Sequence, residues 1–436
     1  MPKPLVGAPL RIDFKAITFI IRFCSFSQSS FPYIIPGALQ EVVKMRIGFV
    51  STYPPQKCGI ATFTEDLAKA VGAALGAELG RDPRLKVVAL DDSEEGYAFG
   101  PEVAFRLRKW APEDYPEAAA FLDEETDVVS LQHTFGIYGG PDGELVLELL
   151  AHLHRPVVTT FHTIRKRPTP TQREIVREVA GRSERVVVMA KRGVEFLERI
   201  YCVPKRKVQF VHHGAPDVPY GSQEEHKRSL GLTQRPLILT FGLIRRDKGI
   251  EEALKALARV KRKVPGFLYV LLGETHPAHR RANGESYREG LERLVQELEL
   301  EDNVRFEPRF VDREELLRWI LACDLYLTPY PNLDQITSGT VAYAVACGRC
   351  VVSTPFWHAQ ELLAEGRGVL VPPQDPDAMA KAIVELLADP KRREEIQRRA
   401  YDFGRGMIWP VVGKQHLDLL ARAAKHTSHM YAAQPT

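Results

Sequence analysis

The sequence predicts an α/β protein of two facing Rossmann-like domains, each built on a parallel sheet. Three observations support this fold class. Short apolar runs alternate with helical stretches from Met45 onward. The runs are apolar on both faces, which is typical of buried parallel strands joined by crossover helices. A polar segment at 215–229 separates two such series, so we expect two βα domains.

The apolar runs define the predicted strands of each domain. In the first domain they lie at 46–52, 86–90, 127–131, 156–161, 185–189 and 207–211. In the second they lie at 236–242, 266–273, 303–308, 324–330, 350–355 and 368–373. We therefore expect an N-terminal domain at 45–214, a linker at 215–234, a second domain at 235–405, and a C-terminal helix with a frayed tail at 406–436.

Bulk composition narrows the class of protein. Hydrophobic residues make up 44% and charged residues 26% of 436 positions, which are globular values without a disorder signature. The net charge of +3 lacks the basic excess typical of nucleic-acid binding, so no nucleic-acid partner is expected. Six cysteines are scattered without a disulfide framework, which favours a reducing, cytoplasmic location. No apolar run is long enough to predict a transmembrane segment.

The first 44 residues do not fit the alternating pattern. Their apolar run AITFII is ended by Arg22 and is shorter than the apolar core of a signal peptide. Met45 stands directly before the first predicted strand. We therefore interpret residues 1–44 as a poorly ordered extension or a non-native start, with Met45 as the natural first residue.

Candidate site residues lie in the turns after the strands, because open parallel sheets bind ligands beyond the carboxyl ends of their strands. Gly59 opens a helix whose free amides can bind an anion, or it serves only a tight turn. His162 directly follows a strand, where it can donate to a hydroxyl or to a developing charge, or it has a structural role. Gln132 and His133 hold the equivalent place on another strand and are candidate acceptor-side residues.

The turn after the first strand of the second domain carries the strongest local signal. Arg245, Arg246 and Lys248 crowd before a helix predicted to start near Gly249. Cations at a helix N-terminus oppose the macrodipole, at a cost of about 0.3–1 kcal/mol per charge. A diphosphate that binds among them explains the cluster, and a plain charged surface is the alternative.

The stretch DQITSGTVAYAVACGRCVVSTP, 334–355, is predicted to form a hydroxyl-rich turn, an uncharged helix and a short strand. The expected N-terminal turn of this helix contains Thr337, Ser338, Gly339 and Thr340. With Lys248, its free amides would form a diphosphate cradle, while the apolar body of the helix is buried. We predict no metal site, because Cys347 and Cys350 lack a second pair and Asp375 is expected to cap a helix.

In the order of these turns the chain resembles the family 4 retaining glycosyltransferases, which have the GT-B fold. The resemblance covers about residues 46–425 and rests on six segments in the family's order. They are YPPQKCGIATFTEDLA, TTFHT, FVHHGAPD, LTFGLIRRDKGIEEALKA, YAVACGRCVVST and HAQELLAEGRGVLVPPQDPDAMAKAI. The resemblance implies two facing Rossmann-like domains and a final helix that crosses back onto the first.

The resemblance also implies an activity. A hexose would move from a nucleotide diphosphate sugar to the hydroxyl of a carbohydrate or other acceptor, with retention at the anomeric carbon and without a metal or other cofactor. Gly59 would approach the diphosphate, His162 would contact the transferred sugar, and Lys248 would bind the phosphates. Glu361 would lie on the loop that frames the donor. Acceptor choice is expected in first-domain loops at 92–112 and 134–143.

Two departures from the family's pattern indicate an atypical subgroup. The family's two glutamates, with seven residues between them, are Gln335 and Tyr343 here. Gln335 can still hold sugar hydroxyls, but Tyr343 leaves the ribose without its usual carboxylate. The family's basic residue after the strand glycine is Leu243, so Arg245 or Arg246 would substitute. A glycan phosphorylase and a catalytically silent nucleotide-sugar binding protein remain the alternatives.

Overall fold

A computed structural model describes residues 44–221, 223–232 and 235–432, with side chains as far as residue 425. These residues form one seven-stranded and one six-stranded sheet, and the strands within each sheet pair in parallel. The fold class predicted from the sequence is thereby confirmed. The interpretation of residues 1–44 as an extension lies outside the described residues, apart from Lys44.

The first domain contains the seven-stranded sheet. Its strands are β1 (Ile47–Thr52), β2 (Leu85–Asp91), β3 (Val103–Arg108), β4 (Val128–His133), β5 (Val157–Phe161), β6 (Arg185–Val188) and β7 (Val208–Phe210). Its helices are α1 (Gly59–Leu75), α2 (Asp114–Glu125), α3 (Val146–His152), α4 (Pro170–Arg182) and α5 (Lys191–Arg199). The strand β3 was not predicted, because only Leu107 of this edge strand is fully buried.

The second domain contains the six-stranded sheet. Its strands are β8 (Leu237–Phe241), β9 (Leu268–Leu272), β10 (Val304–Glu307), β11 (Leu325–Thr328), β12 (Cys350–Ser353) and β13 (Val369–Leu370). Its helices are α6 (Gln223–Ser229), α7 (Ile250–Lys261), α8 (Pro277–Asn283), α9 (Ser286–Glu297), α10 (Arg313–Ala322), α11 (Gly339–Ala346), α12 (Trp357–Leu362), α13 (Pro376–Ala388) and α14 (Pro390–Gly404).

Both sheets have a point where the winding direction reverses. The first sheet is ordered β3-β2-β1-β4-β5-β6-β7, and the second is ordered β10-β9-β8-β11-β12-β13. The reversal therefore falls between β1 and β4 in the first sheet and between β8 and β11 in the second. Ligands of doubly wound sheets bind at these switch points.

The predicted linker is partly helical. Helix α6 lies within it, and its Lys227 is buried in an ion pair with Asp324 of the second domain at 2.6 Å. This segment therefore packs as part of the second domain rather than as a free connection. The polar composition of the segment concealed the helix, since a single buried lysine gives no apolar pattern.

The C-terminal helix α15 (Trp409–Ala432) packs on the first domain, as predicted. Trp409 and Val412 belong to the same hydrophobic core as Leu67 of α1. The two helices approach so closely that a Cβ at Gly413 would lie 2.6 Å from the backbone of Ala70. None of the helices formed by the described residues has the length and apolarity that a membrane span requires.

The two domains share buried apolar contacts. Ile336 and Trp357 of the second domain lie in the hydrophobic core of the first. The Trp357 ring meets Phe196 of α5 edge to face at 4.7 Å between centroids. These contacts fix the turn before α11 and the start of α12 against the first domain.

Candidate active site

The turns that follow β8 and β11 pack directly on each other at the switch point of the second sheet. A Cβ at Gly249 would lie 2.0 Å from the Pro329 carbonyl oxygen. The φ angle of Gly249 is 66°, which also favours glycine. Only glycine therefore allows the turn that carries Lys248 to lie against the turn that carries Tyr330.

A chain of polar groups links Lys248 to the N-terminus of α11. The Lys248 ammonium donates to the Tyr330 hydroxyl at 3.2 Å and lies 4.3 Å from the centre of its ring. The same hydroxyl lies 3.2 Å from Thr340 Oγ1, which lies 3.2 Å from Ser338 Oγ. The structure thus brings together the lysine and the helix N-terminus that the sequence assigned to one diphosphate cradle.

The N-terminus of α11 is capped on two sides. Ser338 is the N-cap, and its hydroxyl accepts the Val341 amide at 3.4 Å. The Ser338 amide donates to Nδ1 of His358 at 2.8 Å. By helix geometry the amides of Gly339 and Thr340 have no partner within the helix, so they are the groups that can bind an anion.

The arginines beside Lys248 are arranged differently from the prediction. Arg245 pairs with Asp247 at 2.6 Å, and Arg246 stacks over the Tyr287 ring at 5.4 Å. The cations lie in a separate 3-10 turn before Gly249, while α7 itself carries Glu251 and Glu252 in its first turn. The acidic residues of α7 therefore satisfy its macrodipole, so the cations carry no dipole cost that a bound anion would offset. A diphosphate among these cations stays a prediction.

His162 lies directly after β5, where Gln132 of β4 orients it. Its Nε2 donates to Gln132 Oε1 at 3.0 Å, which leaves Nδ1 as the acceptor nitrogen. Burial and the neighbouring histidines lower the pKa of His162 to about 3. The imidazole is therefore neutral near pH 7 and can accept a hydrogen bond from a hydroxyl, which corrects the expectation that it donates one.

Gln132 and His133 have no exposed surface, so neither can touch an acceptor in this conformation. Gln132 instead orients His162, and His133 lies among the rings of Phe135 and Phe161. Both residues end β4 with their side chains inside the domain, which corrects the expectation that they line the acceptor side.

Gly59 begins α1 and faces open space, because a Cβ there would meet no atom within 4 Å. The Cys58 thiol caps the helix by accepting the Ala61 amide at 3.2 Å. This open space beside free helix amides fits the predicted approach of a ligand to Gly59.

The two positions of the usual glutamate pair have different environments. Gln335 is half-buried, and its Nε2 donates to the Thr337 carbonyl at 2.9 Å, so its amide oxygen remains an acceptor. Tyr343 is buried and donates to Asp66 of α1 at 2.7 Å. Arg313 of α10 also pairs with Asp66. Tyr343 therefore joins the two domains.

Glu361 lies on α12 rather than on a loop. Its carboxylate accepts the backbone amides of Lys191 and Arg192 at 2.8 and 2.9 Å, at the N-terminus of α5 in the first domain. Because both oxygens are engaged there, Glu361 fastens the domains together. This placement corrects the expectation that it frames the donor.

Comparisons with known proteins bear on this site. Residues 222–403 match the family model described as "Glycosyl transferases group 1". The chain is 29% identical to the D-inositol 3-phosphate glycosyltransferase of Xylanimonas cellulosilytica, over 62% of this chain and 67% of that protein. It is 30% identical to the GDP-mannose-dependent alpha-(1-6)-phosphatidylinositol monomannoside mannosyltransferase of Mycolicibacterium smegmatis, over 37% of this chain and 41% of that protein.

Solved structures show the same fold. A crystal structure of Anabaena HepE in complex with UDP and glucose superposes with a TM-score of 0.69 at 16% identity, over 87% of this chain and 100% of that one. The sucrose-phosphate synthase of Thermosynechococcus elongatus gives a TM-score of 0.68 at 20% identity, over 89% of this chain and 100% of that one. The predicted resemblance is confirmed. The chain is a nucleotide-sugar-dependent glycosyltransferase with the GT-B fold.

Sequence reasoning missed three residues of the glycosyltransferase site: Tyr330, His358 and Asp66. Tyr330 follows β11 at the switch point, so strand order would have identified its turn. His358 precedes Glu361 on α12 but contacts the N-cap of α11 across 20 positions of sequence. Asp66 lies inside α1, and nothing in the local sequence shows that it faces the second domain.

Two further ion pairs join the two domains of the glycosyltransferase. Lys57 pairs with Glu274 at 3.0 Å, and Asp92 pairs with Arg281 at 3.1 Å. In the first domain, Lys109 Nζ donates to the Gly136 carbonyl at 2.8 Å and so joins the segments 92–112 and 134–143. These are the loops in which acceptor choice was expected.

The described residues of the glycosyltransferase contain no group of three histidine, cysteine, aspartate or glutamate side chains that could hold a metal ion. Cys347 and Cys350 are buried free cysteines. The Asp375 side chain accepts the Ala378 amide at 2.9 Å and caps α13, as expected.

Proposed function

We propose that this glycosyltransferase moves a hexose from a nucleoside diphosphate sugar to a hydroxyl of a carbohydrate or other acceptor, with retention at the anomeric carbon and without a metal ion. The observation that carries the proposal is the link from Lys248 through Tyr330 to the N-terminus of α11. An ammonium and free helix amides at one place form a binding site for a diphosphate.

The chemistry proposed is stabilisation of the leaving group. The bond between the anomeric carbon and the phosphate oxygen breaks, and its electron pair leaves with the nucleoside diphosphate. Lys248 and the amides of Gly339 and Thr340 stabilise this charge more strongly as it develops. The acceptor oxygen bonds to the anomeric carbon on the same face, and its proton passes to the departing phosphate oxygen. No protein nucleophile takes part.

The transferred sugar would lie between Gln335 and His162. The free amide oxygen of Gln335 and the Nδ1 of His162 are acceptors for sugar hydroxyls. Neutral groups suit this task, because a hexose carries no charge to pair. Gly59 leaves room for the donor on the first-domain side.

The relatives suggest which donors to test first. The mannosyltransferase relative is named for GDP-mannose, and the Anabaena structure contains UDP and glucose. We therefore propose a screen of UDP and GDP hexoses for nucleotide release, followed by NMR of the anomeric proton of the product. An inverted product would contradict retention. Release of sugar 1-phosphate from a glycan with inorganic phosphate would favour a phosphorylase, and binding without turnover would favour a silent binding protein.

The variant Lys248→Ala tests the phosphate role. We expect kcat/KM to fall by about 10²-fold or more, as for the loss of one preorganised charge-stabilising group. The free energy of unfolding should change little, because within the described residues the ammonium contacts a tyrosine and no carboxylate. Lys255→Ala is the matched control, since Lys255 is paired with Glu252 on the surface of α7. Unchanged turnover in Lys248→Ala would reject the proposal.

A further inference from the structure

The Tyr330 side chain is held rigidly at the centre of the cradle. Its ring stacks on Phe356 at 5.2 Å between centroids, and Thr354 Oγ1 donates to the backbone carbonyl of Tyr330 at 2.6 Å. Only 1% of the residue is exposed. The hydroxyl therefore has one position from which to meet its partners, and that position is set by packing rather than by a ligand.

The Lys248 ammonium fixes the direction of one hydrogen bond and leaves the phenolic proton of Tyr330 available for another. An ammonium can only donate, so Lys248 donates to the Tyr330 oxygen. The single phenolic proton is then free to bond Thr340 Oγ1. The Thr340 hydroxyl keeps its own proton, which it can give to Ser338 Oγ or to a ligand oxygen. One tyrosine thus orients two donors toward the same place.

The electrostatics of Tyr330 agree with its role as the acceptor for the Lys248 ammonium. Burial, the largest effect, raises the pKa of Tyr330, but the Lys248 charge and the hydrogen bonds that Lys248 and neighbouring threonine hydroxyls give to the ionised oxygen together bring it below its ordinary value. A phenol whose oxygen carries more negative charge is a better acceptor for an ammonium. Within the described residues Lys248 contacts no carboxylate, so Tyr330 is the partner that holds it.

We propose that Tyr330 is a positioning residue, which fixes the Lys248 ammonium and turns the Thr340 hydroxyl outward so that both meet one diphosphate. This inference rests on the proposed function, because it assumes that Lys248 acts on the leaving group. Tyr330 itself touches neither sugar nor acceptor in this arrangement. Its effect on turnover therefore passes largely through Lys248.

A double-mutant cycle on Tyr330→Phe and Lys248→Ala tests the inference. Nucleotide release from the best donor gives kcat and KM, and calorimetry gives the affinity for UDP and for GDP, which needs no turnover. We expect Tyr330→Phe alone to lower kcat/KM about tenfold, the order expected for one hydrogen bond to a charged group. In the Lys248→Ala background the same substitution should have little further effect.

The control is Tyr269→Phe. Tyr269 is also fully buried in the second domain, and its hydroxyl donates to Thr240 Oγ1 at 2.9 Å. Both single variants should lose similar thermal stability, but only Tyr330→Phe should lose activity. An equal loss of activity in the two Lys248 backgrounds would show a merely structural role and overturn the inference. So would wild-type kinetics and nucleotide affinity in Tyr330→Phe.

The two proposals fail in different ways. If Lys248→Ala keeps wild-type turnover and nucleotide affinity, the proposed function is wrong. If Lys248→Ala is impaired while Tyr330→Phe matches the wild type, only the role of Tyr330 is wrong.

Discussion

The Tyr343 hydroxyl donates to Asp66 Oδ2 at 2.7 Å and so joins α11 of the second domain to α1 of the first. Asp66 has no exposed side-chain surface and also pairs with Arg313. A buried carboxylate that loses a partner costs more than the bond itself, because the charge remains desolvated. The tyrosine at the second glutamate position is therefore part of the domain interface.

We expect Tyr343→Glu to be more damaging than Tyr343→Phe. The phenylalanine loses one buried hydrogen bond, worth about 1–3 kcal/mol of unfolding free energy. The glutamate also places a second carboxylate beside Asp66, where like charges repel. Urea unfolding of both variants measures the difference. Adding Asp66→Asn to Tyr343→Glu should recover stability, and a glutamate variant as stable as the phenylalanine variant would contradict the described contact.

Gly59 and Gly339 give opposite expectations for the same substitution. A Cβ at Gly59 meets nothing within 4 Å, whereas one at Gly339 would lie 2.8 Å from His213 Nε2. Gly59→Ala should therefore fold as well as the wild type but raise KM for the donor, since the methyl group enters ligand space. Gly339→Ala should lower the melting temperature by disturbing the domain interface. Thermal unfolding measures the loss of stability in Gly339→Ala, and steady-state kinetics measure the rise of KM in Gly59→Ala. A Gly59→Ala enzyme with unchanged KM would exclude a ligand at that position.

His162 is expected to act as a neutral group. Its pKa of about 3, lowered by burial and then by neighbouring histidines, keeps it uncharged from pH 5 to 8. His162→Ala should lower kcat/KM about tenfold through the lost hydrogen bond to the sugar. The pH profiles of the two enzymes should run parallel, since His162 does not titrate in this range. An ionisation near pH 6.5 that disappears in His162→Ala would contradict this assignment.

The sequence was informative where the pattern is local. Buried parallel strands are recognisable as apolar runs. The positions of most strands along the chain, and the turns that carry Gly59, His162 and Lys248, could therefore be predicted. The edge strand β3 was not predicted, because it is largely exposed and gives no continuous apolar run. Helix α6 was not predicted, because its buried residue is Lys227 and the ion-pair partner Asp324 lies far away in the sequence.

The site was predictable in its elements and not in its contacts. Helix propensity and hydroxyl content predicted the turn before α11, but the link through Tyr330 depends on two strands being neighbours. The Arg246 side chain is placed by the Tyr287 ring, and the Glu361 carboxylate is placed by the amides at the start of α5. Both partners lie far away in the sequence. Tertiary pairing of this kind leaves no local signal.

A group of buried and half-buried histidines makes the protein sensitive to acid. Burial lowers the pKa of each to about 3 or 4, and the group comprises His133, His162, His212, His213, His358 and His416. In the unfolded chain a histidine titrates near 6.5. Between pH 6.5 and about 4 the unfolded state therefore binds protons that the folded state does not, so stability falls as the pH falls through this window.

His133→Phe tests this dependence at one position. Neither ring nitrogen of His133 has a hydrogen-bond partner among the described residues, and its neighbours are the rings of Phe135, Tyr138 and Phe161. A phenylalanine fits this aromatic environment and takes up no proton on unfolding. The free energy of unfolding should therefore fall less steeply between pH 6.5 and 4, by up to about 1.4 kcal/mol per pH unit. Phe135→Leu disturbs the same environment without removing a titrating group, so it should lower stability with an unchanged slope. Equal slopes in His133→Phe and the wild type would show that His133 is already charged in the folded protein.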